Sequence, residues 1–309
     1  MQIIDNKFDD RLNAKTFIAL GSFDGLHLGH MCLIDRCMEL AKQMKGLSMV
    51  YTFRNHPLTI INPEAAPKLI LDNLTKMEML ESIGIDILCL VDFNEEVRHM
   101  SAEDFITHLL SKYNMGGVVV GFNYRFGYRN QGNVELLQKL SKKHGFSVTV
   151  INPLEYDMEL VSSSRIRKLA EDGKISEANR MLFKPFRLRG KVITGKQLGR
   201  KLGYPTANIL VDDKFVIPKP GVYYSNVRYR GSVYLGMTNI GYNPTVECTN
   251  RINIETYIFD FNEVIYGEEL EVFFIERIRD EIKFSSLEEL IGQMKKDDNY
   301  VKGKKIEVF

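Results

Sequence analysis

Short apolar runs alternate with helical patterns through the first half of the chain. Phe17-Ile18-Ala19-Leu20 predicts a buried strand and Met31 to Met44 a helix. Leu47 to Phe53 predicts the next strand. Met77, Leu80 and Ile83 recur at helical spacing, which predicts a helix over Thr75 to Ile83, followed by a strand over Ile85 to Val91. Ala102 to Tyr113 and Val134 to His144 read as helices, Gly116 to Val120 and Phe146 to Ile151 as strands. Strands alternating with helices require crossover connections and predict a parallel sheet, with ligands at the carboxyl ends of its strands.

The pattern changes near Phe183-Lys184-Pro185-Phe186. Before it, Arg165 to Leu182 predicts two short helices broken at Gly173. After it come short strands: Arg187 to Ile193, Val222 to Tyr229, Ser232 to Thr238, Ile252 to Phe259 and Leu270 to Ile278. Gly and Pro punctuate them, which fits a small antiparallel barrel or sandwich. A last helix, Ser286 to Asp297, starts with a capping pattern, Ser285 followed by Glu288. A length of 309 residues suits two domains.

Charge and cysteines narrow the chemistry. A net charge of +1 gives no global field for nucleic acid. The 4 cysteines form no Cys-x-x-Cys pair, which argues against zinc and disulfides and fits a cytoplasmic protein. Met1 to Asp10 lacks the basic and apolar regions of a signal peptide, and no apolar run is long enough to span a membrane. Lys184 to Val211 holds no acidic residue but seven cations, Lys184, Arg187, Arg189, Lys191, Lys196, Arg200 and Lys201, beside glycines that favour a phosphate site.

The first constellation is Gly21-Ser22-Phe23-Asp24-Gly25-Leu26-His27-Leu28-Gly29-His30, placed between a strand and a helix. Free N–H groups at a helix start favour anions. His27 and His30, three apart, face one side, and Gly29 lets a nucleotide approach the backbone. The set suits stabilisation of charge on an attacked α-phosphate. These residues resemble the HxGH nucleotidyltransferases. Thr52-Phe53-Arg54-Asn55-His56-Pro57 is similar to the TFxPHP segment of bacterial FMN adenylyltransferases, with Arg54-Asn55 where an acidic residue and proline are usual. Gly121-Phe122-Asn123-Tyr124-Arg125-Phe126-Gly127 resembles their GxNFRFG loop, and Val161-Ser162-Ser163-Ser164-Arg165-Ile166-Arg167 their ISSTxIR element. Arg167 can grip a phosphate bidentately, Ser162 and Ser163 can cap a helix and donate to phosphate, and Asn123 offers donor and acceptor.

The second constellation begins at Gly190-Lys191-Val192-Ile193-Thr194-Gly195-Lys196-Gln197, a near P-loop that Gln197 disqualifies, since Ser or Thr must stand there. Read onward through Gly199-Arg200-Lys201-Leu202-Gly203-Tyr204-Pro205-Thr206-Ala207-Asn208, the glycines allow a loop to close over phosphates. Thr206 and Asn208 present oxygens on one face of an extended segment, as Mg2+ requires. This run resembles the GRxLGxPTAN signature of riboflavin kinases. Asn239-Ile240-Gly241-Tyr242-Asn243-Pro244-Thr245 looks like their NIGxxPT turn, and the strand around Glu255 like the one carrying their catalytic glutamate. Ile278-Arg279-Asp280-Glu281 looks like the region that closes on flavin.

Nearly the whole chain thus resembles the bifunctional riboflavin kinase/FMN adenylyltransferase family. The resemblance implies a Rossmann-like α/β HxGH nucleotidyltransferase domain over residues 1–183 and an antiparallel riboflavin-kinase β-barrel with a C-terminal helix over 184–309. It implies riboflavin, FMN and ATP as substrates, FMN and FAD as products, and Mg2+ as cofactor. His27 and His30 are then catalytic in adenylyl transfer, with Gly21, Phe23, Asp24, Gly25, Gly29, Asn123, Ser162, Ser163 and Arg167 binding nucleotide. Glu255 is the base of the kinase. Gly195, Gly199, Arg200, Gly203, Pro205, Thr206 and Asn208 bind its ATP, Thr206 and Asn208 also the metal, and His56, Pro57 and Arg279 contact flavin. Two other readings compete: a chain with one working activity, and a flavin-sensing or nucleic-acid regulator that keeps the fold alone. The charge balance and the lack of a helix-turn-helix or RNA-reading aromatic motif weigh against the regulator.

Overall fold

The computed structural model describes residues 1–8, 10–195, 199, 203–242 and 252–307. The chain divides into two compact units, Met1–Ser162 and Ser163–Phe309.

The first unit is built on strands β1 (Gln2–Ile4), β2 (Thr16–Leu20), β3 (Leu47–Phe53), β4 (Ile87–Val91), β5 (Met115–Gly121) and β6 (Ser147–Ile151), in the order β1-β4-β3-β2-β5-β6. Every pairing is parallel. β2 and β4 are buried at every position, as a sheet covered on both faces demands. The connections carry α1 (Leu28–Gln43), α2 (Leu58–Ile61), α3 (Asn73–Ile83), α4 (Glu95–His99), α5 (Ala102–Tyr113) and α6 (Val134–His144). One core face packs Ile18, Leu20, Met49 and Val118 with Phe105, Ile106 and Leu109 of α5. Side-chain oxygens of Asp72, Asn94, Ser101 and Asn133 cap α3 to α6. A small hairpin, β7 (Glu155–Tyr156) and β8 (Glu159–Leu160), precedes the end of the unit.

Among the departures from the sequence reading are an added strand and a shifted helix face. β1, which extends the sheet beside β4, is too short to alternate detectably. The buried face of α3 is Thr75, Lys76, Met79 and Leu80 rather than the Met77–Leu80–Ile83 stripe. A buried lysine at its centre hid the true periodicity.

The second unit opens with α7 (Ser163–Glu171) and α8 (Ile175–Met181), separated at Gly173, whose φ of +79° suits glycine. α8 is fastened to the barrel: Ser176 Oγ donates to the Ile275 carbonyl (3.1 Å) and Asn179 Nδ2 to that of Phe274 (2.8 Å). β9 (Arg187–Ile193), β10 (Thr206–Leu210), β11 (Gly221–Tyr229), β12 (Ser232–Tyr242), β13 (Ile252–Ile258) and β14 (Glu269–Arg279) close a barrel in the order β10-β13-β12-β11-β14-β9. All pairings are antiparallel. β12 runs to Tyr242, so Asn239 to Tyr242, expected in a turn, are strand, and Asn243 to Thr245 lie outside the described residues. Of the cations between Lys184 and Val211, Arg187 and Arg189 both grip buried Glu271; Lys196, Arg200 and Lys201 lie outside the described residues.

A last helix, α9 (Leu287–Lys302), is capped by Ser286, which accepts the Glu289 N–H, while the Glu289 carboxylate accepts the Ser285 N–H. The capping pattern therefore sits one residue later than Ser285 and Glu288. Val301 packs α9 onto Val222, Tyr224, Met237 and Phe273 of the barrel. Asp297, 3% exposed, takes Nε and Nη2 of Arg279 at 2.9 and 2.7 Å, and Gln293 donates to its other oxygen. Removing Asp297 takes two charge-assisted hydrogen bonds from Arg279, which keeps its bond to the Asp280 carbonyl. Asp297→Ala is therefore expected to weaken the docking of α9 by about 2 kcal/mol. Hydrogen exchange on the full chain checks this: amides of α9 lose protection while those of β2 and β5 keep theirs, and unchanged protection of α9 would refute it.

Candidate functional site

In the parallel sheet the chain leaves β2 first toward β3 and later returns to β5 on its other side. The carboxyl ends of β2 and β5 therefore flank the crevice where such sheets bind ligands. Gly21 to His30 leaves β2 there, and Phe122-Asn123 leaves β5. Asn123 is exposed and stands next to Gly121. His56 and Pro57 follow the carboxyl end of the neighbouring β3.

The turn after β2 is strained. Phe23 (φ +48°), Gly25 (φ +90°) and Leu26 (φ +41°) all occupy the left-handed region, which costs a non-glycine residue on the order of 1 kcal/mol or more. Packing and polar ties hold it. Phe23 and Leu26 are fully buried, and the Asp24 carboxylate accepts the Ile70 and Leu71 N–H groups at 2.9 and 3.1 Å. The Ser22 carbonyl accepts Thr52 Oγ1 (2.8 Å) and Lys76 Nζ (3.1 Å). Nothing local in the sequence marks Lys76: Thr75 precedes it and Met77-Glu78 follow, an ordinary setting for a solvated lysine.

His27 is the N-cap of α1, and its Nδ1 accepts the His30 N–H at 3.2 Å. That bond assigns the tautomer: with Nδ1 an acceptor, the neutral ring carries its proton on Nε2. The two imidazoles stack, centroids 3.6 Å apart and planes 15° from parallel. A Cβ on Gly29 would sit 3.2 Å from the His27 ring, so the glycine makes room for that ring. His30 Nδ1 is shielded from solvent and has no hydrogen-bond partner among the described residues. Burial, then His27, then Lys76 push the His30 pKa well below 6.5, so His30 is neutral at pH 7.

Arg54 and Asn55 have structural work of their own. Arg54 Nε pairs with Asp92 at 3.2 Å. Asn55 donates to the Phe93 carbonyl (3.0 Å) and accepts its N–H (2.8 Å), extending the β3–β4 ladder with a side-chain amide. Ser162 is the last residue of the first unit; Ser163 and Arg167 stand on α7 in the second.

The second constellation assembles on one face of the barrel wall. Cross-strand register sets Asn208 opposite Glu255, Glu255 opposite Asn239, and Thr206 opposite Tyr257; directly paired residues share a face. Asn208 is buried, and Asn253 Nδ2 donates to Glu255 Oε1 at 2.5 Å. The Asn208 amide fills the space where a Cβ on Gly195 would be. The Gly199 carbonyl accepts the Tyr204 N–H at 2.9 Å, and Gly203 turns at φ +83°. Pro205 and Thr206 border a cleft of about 310 Å³ with Val192, Ile258, Val264 and Tyr266; the segment of Val264 and Tyr266 was not anticipated. Arg279 is held by Asp297. Arg200 lies outside the described residues.

Among the described residues no group of three or more His, Cys, Asp or Glu is placed to hold a metal. The hydroxyl of Thr206 and amide oxygen of Asn208 are hard, neutral donors, the kind that binds Mg2+ when phosphates supply the charge.

Comparison with known proteins agrees with both halves. The FAD synthetase family profile matches residues 9–165, and the riboflavin kinase profile residues 182–304. A bifunctional riboflavin kinase/FMN adenylyltransferase from Listeria monocytogenes is 37% identical over 94% of this chain and 92% of its own length. Proteins of the same name from Bacillus subtilis and Escherichia coli are 35% and 32% identical over 92% and 91% of this chain, and 90% of each relative is covered. A crystal structure described as a macrolide-efflux protein from Streptococcus pneumoniae superposes with a TM-score of 0.89 at 30% identity, covering 99% of this chain and 100% of that one; among the described residues here, no helix is long and apolar enough to cross a membrane. With both family profiles matched in order and relatives aligned over nearly their full length, this chain belongs to the bifunctional riboflavin kinase/FMN adenylyltransferase family.

Proposed function

We propose that residues 184–309 transfer the γ-phosphate of ATP to riboflavin, giving FMN and ADP, and that residues 1–183 join FMN to the adenylyl group of a second ATP, giving FAD and pyrophosphate. The observation that carries this reading is that each half pairs its motif with the geometry the motif needs. One half stacks His27 on His30 at the switch point of a parallel sheet. The other sets Asn208 and Glu255 opposite each other on one wall.

In the kinase half Glu255 accepts the proton of the ribityl 5′-hydroxyl as that oxygen bonds to the γ-phosphorus and ADP leaves. Asn253 orients its carboxylate through the hydrogen bond to Oε1. Thr206 and Asn208 would hold Mg2+ together with ATP oxygens; when bound, the ion neutralises phosphate charge. By their motif, Pro205, Gly195, Gly199, Arg200 and Gly203 contact the nucleotide, and a cleft of mixed polar and apolar lining opens beside Thr206. Arg279 contributes to the flavin site by anchoring α9 through Asp297.

In the adenylyltransferase half an FMN phosphate oxygen attacks the α-phosphorus and pyrophosphate departs. His27 Nε2–H and a neutral His30 donate to the oxygens on which charge builds. Gly21, Phe23, Asp24 and Gly25 shape the turn and Gly29 clears its floor, while His56 and Pro57 border the flavin. By their motifs, Asn123, Ser162, Ser163 and Arg167 contact nucleotide. No nucleic acid or membrane takes part, and the cytoplasm, where Cys32, Cys37 and Cys89 stay reduced thiols, is the compartment.

Separate assays of FMN formation from riboflavin and FAD formation from FMN test the assignment. His27→Ala is expected to lower FAD formation by about 100-fold or more and leave FMN formation intact; Glu255→Gln does the reverse. Equal loss of both activities in either variant, or loss of neither, would sink the assignment of two separate sites. A wild-type chain that forms only one product would favour the single-activity reading. The pH profile adds a sign. Because the His30 pKa is depressed below 6.5, FAD formation should stay level as pH falls from 8 to 6.5 and decline only at lower pH, as His30 takes up a proton. An acid limb centred above pH 6.5 would contradict this.

A further inference from the structure

Lys76 stands where neither the fold nor the helix favours a cation. It is 5% exposed, on the buried face of α3. It follows the Asp72 N-cap within the first turn, where the helix dipole opposes positive charge. Burying an ammonium costs several kcal/mol unless partners compensate. Burial lowers the Lys76 pKa, while the carboxylates of Asp24 and Asp72 act to raise it. Its Nζ donates to the Ser22 carbonyl, which Thr52 Oγ1 already satisfies. Packing would be served by methionine, and the carbonyl by threonine alone.

We infer that Lys76 is a positioning residue for adenylyl transfer: its buried ammonium pins the Ser22 carbonyl and sets the strained Phe23–Leu26 turn that delivers His27 and His30 to the phosphates. The inference rests on the assignment of His27 and His30 to that reaction.

Three ties from one segment hold the turn: the Ile70 and Leu71 N–H groups on Asp24, and Lys76 on Ser22. They end on a carboxylate and a carbonyl that bracket Phe23, whose backbone is left-handed and whose ring lies 5.2 Å from the His30 ring. Displacement of this turn moves the cap of α1 and both imidazoles together. Lys76 also acts on His30 through its charge. The groups bearing on His30 are the ring of Phe23, the imidazole of His27 and the ammonium of Lys76, with Asp24 and Asp72 beside that ammonium. A fixed cation there favours the neutral imidazole and adds positive potential near the phosphates without touching them.

Lys76→Met removes the charge and the hydrogen bond; Lys76→Gln keeps a donor toward Ser22 and removes the charge. In the full chain, Lys76→Met is expected to lower kcat for FAD formation about 100-fold, with KM for ATP nearly unchanged and FMN formation from riboflavin unaffected. Lys76→Gln falls between it and the wild type. In both variants the His30 imidazole, followed by NMR, titrates higher than in the wild type, a shift that a packing role alone would not produce. Adenylyl transfer within twofold of wild type in both variants, or an unmoved His30 midpoint, would overturn the inference. His30→Ala distinguishes that failure from failure of the underlying assignment: if His30→Ala forms FAD normally, the assignment itself is wrong, whereas a dead His30→Ala beside active Lys76 variants refutes only the role of Lys76.

Discussion

The His30 N–H, already bonded to the His27 carbonyl at 2.8 Å, also donates to His27 Nδ1 at 3.2 Å, and this second bond does three things that cannot be separated. It caps α1, it fixes which nitrogen of His27 keeps its proton, and it brings the two rings into contact. Helix capping and phosphate chemistry are usually weighed as rival explanations for a histidine at a helix start. Here the cap also decides which atom of the ring can donate, because a ring held by Nδ1 has only Nε2 with which to do so. The strained turn before it, the glycine beneath the ring and the ties to Asp24 and Ser22 all serve to hold that one bond in place.

The barrel solves a different problem by register instead of strain. Asn208, Glu255 and Asn239 come from strands far apart in sequence, yet antiparallel pairing places them side by side. Period-two alternation keeps Ile254, Thr256 and Ile258 buried on the other face. A slip of one residue in β13 would send Glu255 into the interior and expose the apolar set. The same core that stabilises the barrel therefore specifies the position of Glu255.

Strongly periodic elements were legible from residues alone: Leu47 to Phe53, Ala102 to Tyr113 and Val134 to His144 coincide with the observed bounds. Both constellations were legible because glycine, histidine and Pro-Thr-Ala-Asn in fixed order are rare without a chemical purpose. What escaped detection depends on tertiary context. β1 exists only because β4 offers an edge. Lys76 is inside because carboxylates and a carbonyl await it, which no local pattern records. Asn55 looks like a departure from the flavin-site motif until its amide is seen completing the ladder to Phe93. The capping serine could be 285 or 286 by spacing, and only the packing of α9 decides.

The placement of α9 bears on how the chain leaves the ribosome. Val222, Tyr224, Met237 and Phe273 lie on the outer wall of the barrel and are covered by a helix that ends at Lys302. Until the last turn of that helix has emerged, the completed barrel strands present an uncovered apolar wall, the kind of surface through which nascent chains associate. Synthesis of this protein therefore passes through an interval in which its second half is folded in outline but still adhesive, and the last helix closes it.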